Sequence, residues 1–251
     1  MNGLIVFTIA GGLLLDYHWP NFGQDAASLV VWILCFGLFL RSDSRGRPAL
    51  LACLIIATTG EIFLSLVWGL YTYRLANIPL FVPPGHVLLF YLGTQLATRL
   101  PARAEWWIAA LAFPMVMAFA WAGHDTLGPV LFGLFLLCLW VSPARKLYAT
   151  MFVLSYAMEL YGTWIGNWVW SADVPWLGLK TINPPVAAGA FYCVLDLLVV
   201  SVTTRLGSAA SQPGLEGERR LDPGSDLEGV LVLAVASDHL DAERQATRAE
   251  A

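Results

Sequence analysis

Charge is scarce in this chain. Only 13% of its 251 residues are Asp, Glu, Lys or Arg, against roughly 25% in a soluble domain, whereas 58% are hydrophobic. That composition excludes an ordinary soluble globule and points to an integral membrane protein. The few charges are also unevenly spread: residues 207–251 hold much of the acid and base, so the formal net charge of -4 describes that tail more than the apolar body. A body so poor in basic residues offers no footprint for nucleic acid.

Other absences narrow the chemistry. The four cysteines, Cys35, Cys53, Cys138 and Cys193, each fall inside an apolar run, with no C-x-x-C spacing and no histidine nearby. They read as reduced packing residues, and no metal site is expected. His18, Asp16, Asp25 and the pair His124-Asp125 have no ligand spacing between them. There is no P-loop, G-x-G-x-x-G, H-E-x-x-H, G-x-S-x-G or histidine-box pattern, so nucleotide, dinucleotide, zinc-protease and serine-hydrolase chemistries are not expected, nor is any cofactor. The last apolar segment lacks the lysine that a retinal Schiff base needs. The N-terminal segment has an apolar core but no basic flank, so it reads as a span and not as a cleaved signal peptide.

What the chain does have is long apolar runs. A helix needs about 20 apolar residues to cross a bilayer. Eight candidate spans follow: about 3–17, 28–41, 49–70, 85–100, 105–122, 126–142, 147–170 and 186–206. The first two are short. The basic residues sort onto one side of this map: Arg41, Arg45, Arg47, Arg99, Arg103, Arg145, Lys146, Arg205 and the four arginines of the tail all follow even-numbered spans. That is twelve of the 14, leaving Arg74 and Lys180 on the other side. The positive-inside rule makes the first side cytoplasmic. The expected protein is therefore all-α, a polytopic protein of seven or eight transmembrane helices in the inner (plasma) membrane of a bacterial-type cell, with a cytoplasmic C-terminus. The tail, rich in Gly, Ser and charge, is expected to be disordered.

Two glutamates interrupt the apolar runs, in ATTGEIFLS and SYAMELYGT, and their surroundings match. Glu61 is followed by Trp68-Gly69, Tyr71, Tyr73, Asn77, Pro79 and Pro83-Pro84. Glu159 is followed by Gly166, Trp168, Trp170, Asp173, Pro175 and Pro184-Pro185. After each Pro-Pro, five residues pass before Phe90-Tyr91 or Phe191-Tyr192, and Gln95 or Asp196 comes four residues after the tyrosine. The series reads as two parallel four-helix repeats, residues 1–104 and 105–206, related by an axis along the membrane normal, with 207–251 as a tail. Each glutamate then lies roughly 17 Å into its span, near mid-bilayer, where a carboxyl is costly and marks function.

The candidate catalytic residues are Glu159, Glu61 and Asp196, the last as a possible partner of Glu159. Two acids sharing a low-dielectric site can divide the roles of proton donor and base. Trp164, Trp168, Trp68, Tyr71 and Tyr192 are candidate walls for an apolar ligand, because aromatic faces stabilise cations. His86 and Gln95 are candidate polar contacts. Gly162 and Gly166 share a helical face with Glu159 and allow close approach of a helix or a flat ligand.

The run Glu159, Gly162, Gly166, Trp168, Trp170 reads E-x-x-G-x-x-x-G-x-W-x-W. It resembles the repeated signature of membrane carotenoid-biosynthesis proteins of the bisanhydrobacterioruberin hydratase type. That family is polytopic and adds water across a terminal isoprenoid double bond; small membrane terpene cyclases are similar to it in mechanism. The resemblance implies that Glu159, and through the repeat Glu61, handle protons. The first copy departs from the pattern, with Leu64 in place of the first glycine and one more residue before its aromatics. The expected function is protonation of an isoprenoid or carotenoid alkene, leading to hydration or cyclisation. The alternative is a proton-coupled membrane carrier of a small or lipidic substrate. Membrane lipids and an apolar isoprenoid or lipid substrate are the expected partners.

Overall fold

A computed structural model describes residues 1–19, 22–43 and 46–210, with the side chains of 206–210 left aside; the tail expected to be disordered lies outside the described residues. The protein is mostly helical. Its helices are α1 (Asn2–His18), α2 (Gly23–Arg41), α3 (Gly46–Glu61), α4 (Val82–Ala97), α5 (Ala104–Trp121), α6 (Gly128–Val141), α7 (Arg145–Ile165) and α8 (Gly189–Ala210). A π-helical turn, Ile62–Val67, continues α3. Three segments are long and apolar enough to cross a membrane by length and composition: Gly23–Arg41, Gly46–Val67 and Ala104–Trp121.

The chemistry of the helix ends follows from the sequence. Proline occupies the first turn of α4 and of α6, where its missing N–H costs nothing. Asp125 accepts the Gly128 N–H at 2.9 Å at the start of α6 and, through its other oxygen, the Val186 N–H at 2.7 Å. This buried acid is a structural cap. At the far end of α7, Gly166 takes φ +89° and returns its N–H to the Gly162 carbonyl, the left-handed stop that glycine makes easily.

Helices α3, α4, α7 and α8 close a ring, each touching the next: α3 on α4, α4 on α7, α7 on α8, and α8 back on α3. The α1–α2 hairpin packs against α4, and the α5–α6 hairpin against α7 and α8. Phe90 on α4, Leu147 and Tyr148 on α7, and Ala190 and Cys193 on α8 are fully buried where these helices pack.

The fold departs from all-α at one end of the ring. Strands β1 (Tyr71–Tyr73) and β2 (Trp168–Trp170) pair antiparallel, with Tyr71 opposite Trp170 and Tyr73 opposite Trp168. A second ribbon pairs β3 (Asp173–Val174) with β4 (Leu179–Lys180). The span expected at 147–170 therefore leaves its helix at Ile165 and turns back as a strand. Alternating aromatics (Tyr-Thr-Tyr and Trp-Val-Trp) have the two-residue period of a strand with one face buried; Thr72 and Val169 point out while their flanking aromatics point in.

Polar contacts tie α1 to this ribbon. Buried Asp16 accepts from Arg74 at 3.0 Å and from the Asn167 amide at 2.6 Å, while the Arg74 backbone N–H donates to the Asn167 carbonyl at 2.8 Å. Removing one partner of a buried ion pair strands the other charge. Arg74→Leu should therefore cost on the order of 2 kcal/mol or more. Denaturant unfolding of the detergent-solubilised protein measures this, and an unchanged midpoint would show that the pair is energetically silent.

Candidate functional site

Glu61 and Glu159 face the interior of the ring, 6% and 5% exposed. Glu61 ends α3, and Glu159 lies six residues before the end of α7; six residues of π-helical turn likewise follow Glu61. The acids thus sit about 9 Å from the ribbon end of their helices, closer to that end than the mid-span depth expected from the sequence.

Each acid is held in the same way. One oxygen of Glu61, Oε2, accepts the hydroxyls of Tyr71 at 2.8 Å and Tyr73 at 2.6 Å. The Oε2 of Glu159 accepts the indole N–H of Trp168 at 2.8 Å and of Trp170 at 3.0 Å. Each strand folds back over the helix that precedes it and points both of its buried aromatics at that helix's carboxyl. The first copy has one more residue between acid and aromatics, and the π-turn absorbs it: the Trp68 N–H bonds the Phe63 carbonyl five residues back. A π-turn holds one residue more than an α-turn, so both acids meet their aromatic pairs alike. Gly69 (φ +75°) and Gly166 (φ +89°) then reverse the chain at equal distance from the first aromatic of each pair.

The remaining oxygens face one another through a stacked pair. Glu61 Oε1 meets His86 Nε2 at 2.9 Å, and Glu159 Oε1 accepts the Tyr192 hydroxyl at 3.4 Å. The His86 and Tyr192 rings stack, centroids 4.8 Å apart and 21° between planes. An indole N–H can only donate. Oε2 of Glu159 is therefore an acceptor, and a proton carried by Glu159 sits on Oε1, on the Tyr192 side.

Two cavities flank this carboxyl wall, and both are lined by Glu61, Tyr71, His86, Glu159 and Tyr192. The larger, about 570 Å³, lies among α3, the π-turn, α6 and α8, with Ile56, Leu64, Leu134, Phe191 and Leu195 in its walls. Its lining includes Ile55, Phe63 and Leu198, which are exposed on the molecular surface, so it reaches that surface beside α3 and α8. The smaller, about 60 Å³, lies among α1, α2, α4 and α7.

Of the residues expected at the site, Glu61, Glu159, Tyr71, Trp68, Trp168, Tyr192 and His86 line these cavities. Trp68 also stacks on Trp176 (centroids 5.9 Å apart) and donates to the Pro175 carbonyl at 2.8 Å. Three residues do not belong there. Trp164 is 80% exposed, because its position on α7 faces away from the ring. Gln95 lies about two and a half turns beyond His86 along α4 and lines neither cavity. Asp196 is fully buried one turn beyond Tyr192 on α8, lines neither cavity, and neither of its oxygens has a hydrogen-bond partner among the described residues. The partners of Glu159 are Trp168, Trp170 and Tyr192, not Asp196. Tyr73 and Trp170 belong to the sequence repeat but were not among the candidate wall residues, although each is the second aromatic of an alternating pair and reaches its acid.

Gly162 earns its place through Trp168. A Cβ there would lie 2.0 Å from the Trp168 ring, so the small residue on the Glu159 face accommodates the protein's own indole, not a neighbouring helix or a flat ligand. Comparison with protein-family models, curated proteins and solved structures finds no match to this chain.

Two substitutions test this geometry. Gly162→Ala should displace Trp168 from Glu159 and cost about 1–3 kcal/mol through overpacking; a shift in tryptophan emission with a lowered unfolding midpoint reports it, and a silent change would mean that the indole is not held there. Asp196→Leu, which removes an unpartnered buried acid, should raise stability by about 1–3 kcal/mol. A loss of stability would show that the carboxyl has a partner.

Proposed function

We propose that this chain is a polytopic enzyme of eight spans, built as two parallel four-helix repeats, that protonates the alkene of an isoprenoid or carotenoid chain. The carrying observation is the pair of glutamates, each held by two aromatic donors of the paired strands, in the wall of an apolar cavity that reaches the molecular surface. The antiparallel register of β1 on β2, and the matching of α3–α4 with α7–α8, support the repeat. A two-fold axis along the membrane normal pairs equivalent strands in that sense.

In this reading the alkene enters between α3 and α8 from the lipid. Glu159 Oε1 gives its proton to one alkene carbon; the π pair forms the new C–H bond, and the other carbon becomes a tertiary cation. The carboxylate left behind keeps its two indole N–H donors, which stabilise the charge as it develops. Trp68, Tyr71, Trp170 and Phe191 line the cavity that holds the cation, and aromatic rings stabilise such a charge. Glu61, with His86 on its Oε1, takes up a proton, either from water as its oxygen bonds the cationic carbon or from the neighbouring carbon as a new double bond forms.

Glu159→Gln keeps the size and the acceptor oxygen but removes the transferable proton. It should abolish product, at least about a hundredfold, with the unfolding midpoint retained. Comparison of lipid extracts from cells carrying either form, with and without the protein, measures this. A proton-coupled carrier would instead leave extracts unchanged and lose proton-driven uptake in vesicles, and an unaffected variant would end both readings.

A further inference from the structure

The small cavity holds polar groups that the catalytic reading does not use. Thr8, on α1, is 6% exposed and lines this cavity, and its hydroxyl has no hydrogen-bond partner among the described residues. His86, whose side chain is 9% exposed, spends Nε2 on Glu61 and leaves Nδ1 buried without a partner. Buried polar atoms are rarely left unpaired, because each unmade bond is costly. Both residues border one void, which the carboxyl wall of Glu61, Glu159 and Tyr192 closes on one side and which Ile9, Leu13, Val31 and Leu89 line among others. At about 60 Å³ it has room for roughly two water-sized groups, at about 30 Å³ each.

We propose that this cavity is a hydroxyl-binding subsite, with Thr8 Oγ1 and His86 Nδ1 holding one hydroxyl group on the side of the carboxyl wall opposite the apolar chamber. A hydroxyl both donates and accepts, and so do the two groups that face it: threonine's hydroxyl can play either part, and Nδ1 can play whichever one its tautomer allows. Water and the alcohol end of an isoprenoid share this chemistry. The assignment rests on the apolar chamber being a ligand site, yet it is tested separately from alkene protonation, since none of its readouts is product formation.

The experiment uses the full-length protein in detergent. Binding of farnesol is compared with binding of farnesene, its hydrocarbon counterpart, and farnesene binding by itself reports the large chamber. In parallel, brief radiolysis in heavy-oxygen water labels side chains beside resident water; Trp168 and Tyr73 line the small cavity and not the large one. An occupied subsite gives either heavy-oxygen labelling at Trp168 and Tyr73, which identifies water, or an approximately tenfold preference for farnesol, the factor one well-made hydrogen bond supplies, which identifies an alcohol. Thr8→Val should remove whichever signal is found, with an unchanged unfolding midpoint, and Thr8→Ser should keep it. Absence of both signals, or their persistence in Thr8→Val, overturns the subsite. If farnesene binds in that case, the large chamber survives; if neither probe binds, the apolar chamber falls with it.

Discussion

The arrangement depends on how each buried glutamate is satisfied. A carboxyl group in an apolar interior is tolerable only with its oxygens occupied. Here one oxygen of each acid takes two donors from a strand that doubles back over the acid's own helix, and the other takes a single contact from the next helix of the ring. The paired strands cross-link the two arrangements, Tyr71 against Trp170 and Tyr73 against Trp168, so neither acid can shift without disturbing the other's donors. The stacked His86 and Tyr192 rings close the same circuit on the opposite side.

This circuit sets chemical asymmetry within near-symmetric geometry. Tyrosine hydroxyls can donate or accept, whereas indoles can only donate, so Glu159 has one oxygen committed as an acceptor and Glu61 does not. The third contact differs as well: an imidazole for Glu61, a phenol for Glu159. Pairs of acids whose surroundings differ in this way can take different proton-handling roles. The π-turn belongs to the same logic. Its extra residue would rotate every following side chain by about 100° if the helix stayed α-helical; widening one turn restores the aromatic pair to its acid. What reads in the sequence as an imperfect spacing is compensated by local geometry.

Asp196 shows the converse. It is as deeply buried as the two glutamates and falls at the position that matches Gln95, but no donor among the described residues reaches it and it borders neither of the two cavities beside the glutamates. Burial of an acid is therefore not a sufficient mark of the site. The donors and the adjoining space distinguish Glu61 and Glu159 from it.

Much of this was legible in the chain itself. Scarce charge and long apolar runs set the helical class, and the apolar runs marked the eight helices, α3 with its π-turn, to within about five residues at either end, because the composition of a segment is a local property. The two acids, their aromatic pairs and His86 stood out for the same reason: polar groups in apolar runs are conspicuous wherever they point. Direction was what one dimension could not supply. Trp164 and Trp168 are four residues apart, yet the first faces outward and the second reaches Glu159, because the chain leaves its helix between them. Which acids meet, which aromatics turn inward, and that a threonine on the first helix borders the same wall as the seventh helix's glutamate were decided only when the helices closed into a ring. Local sequence governs where elements begin and end, whereas contacts across a hundred residues depend on how every other surface packs.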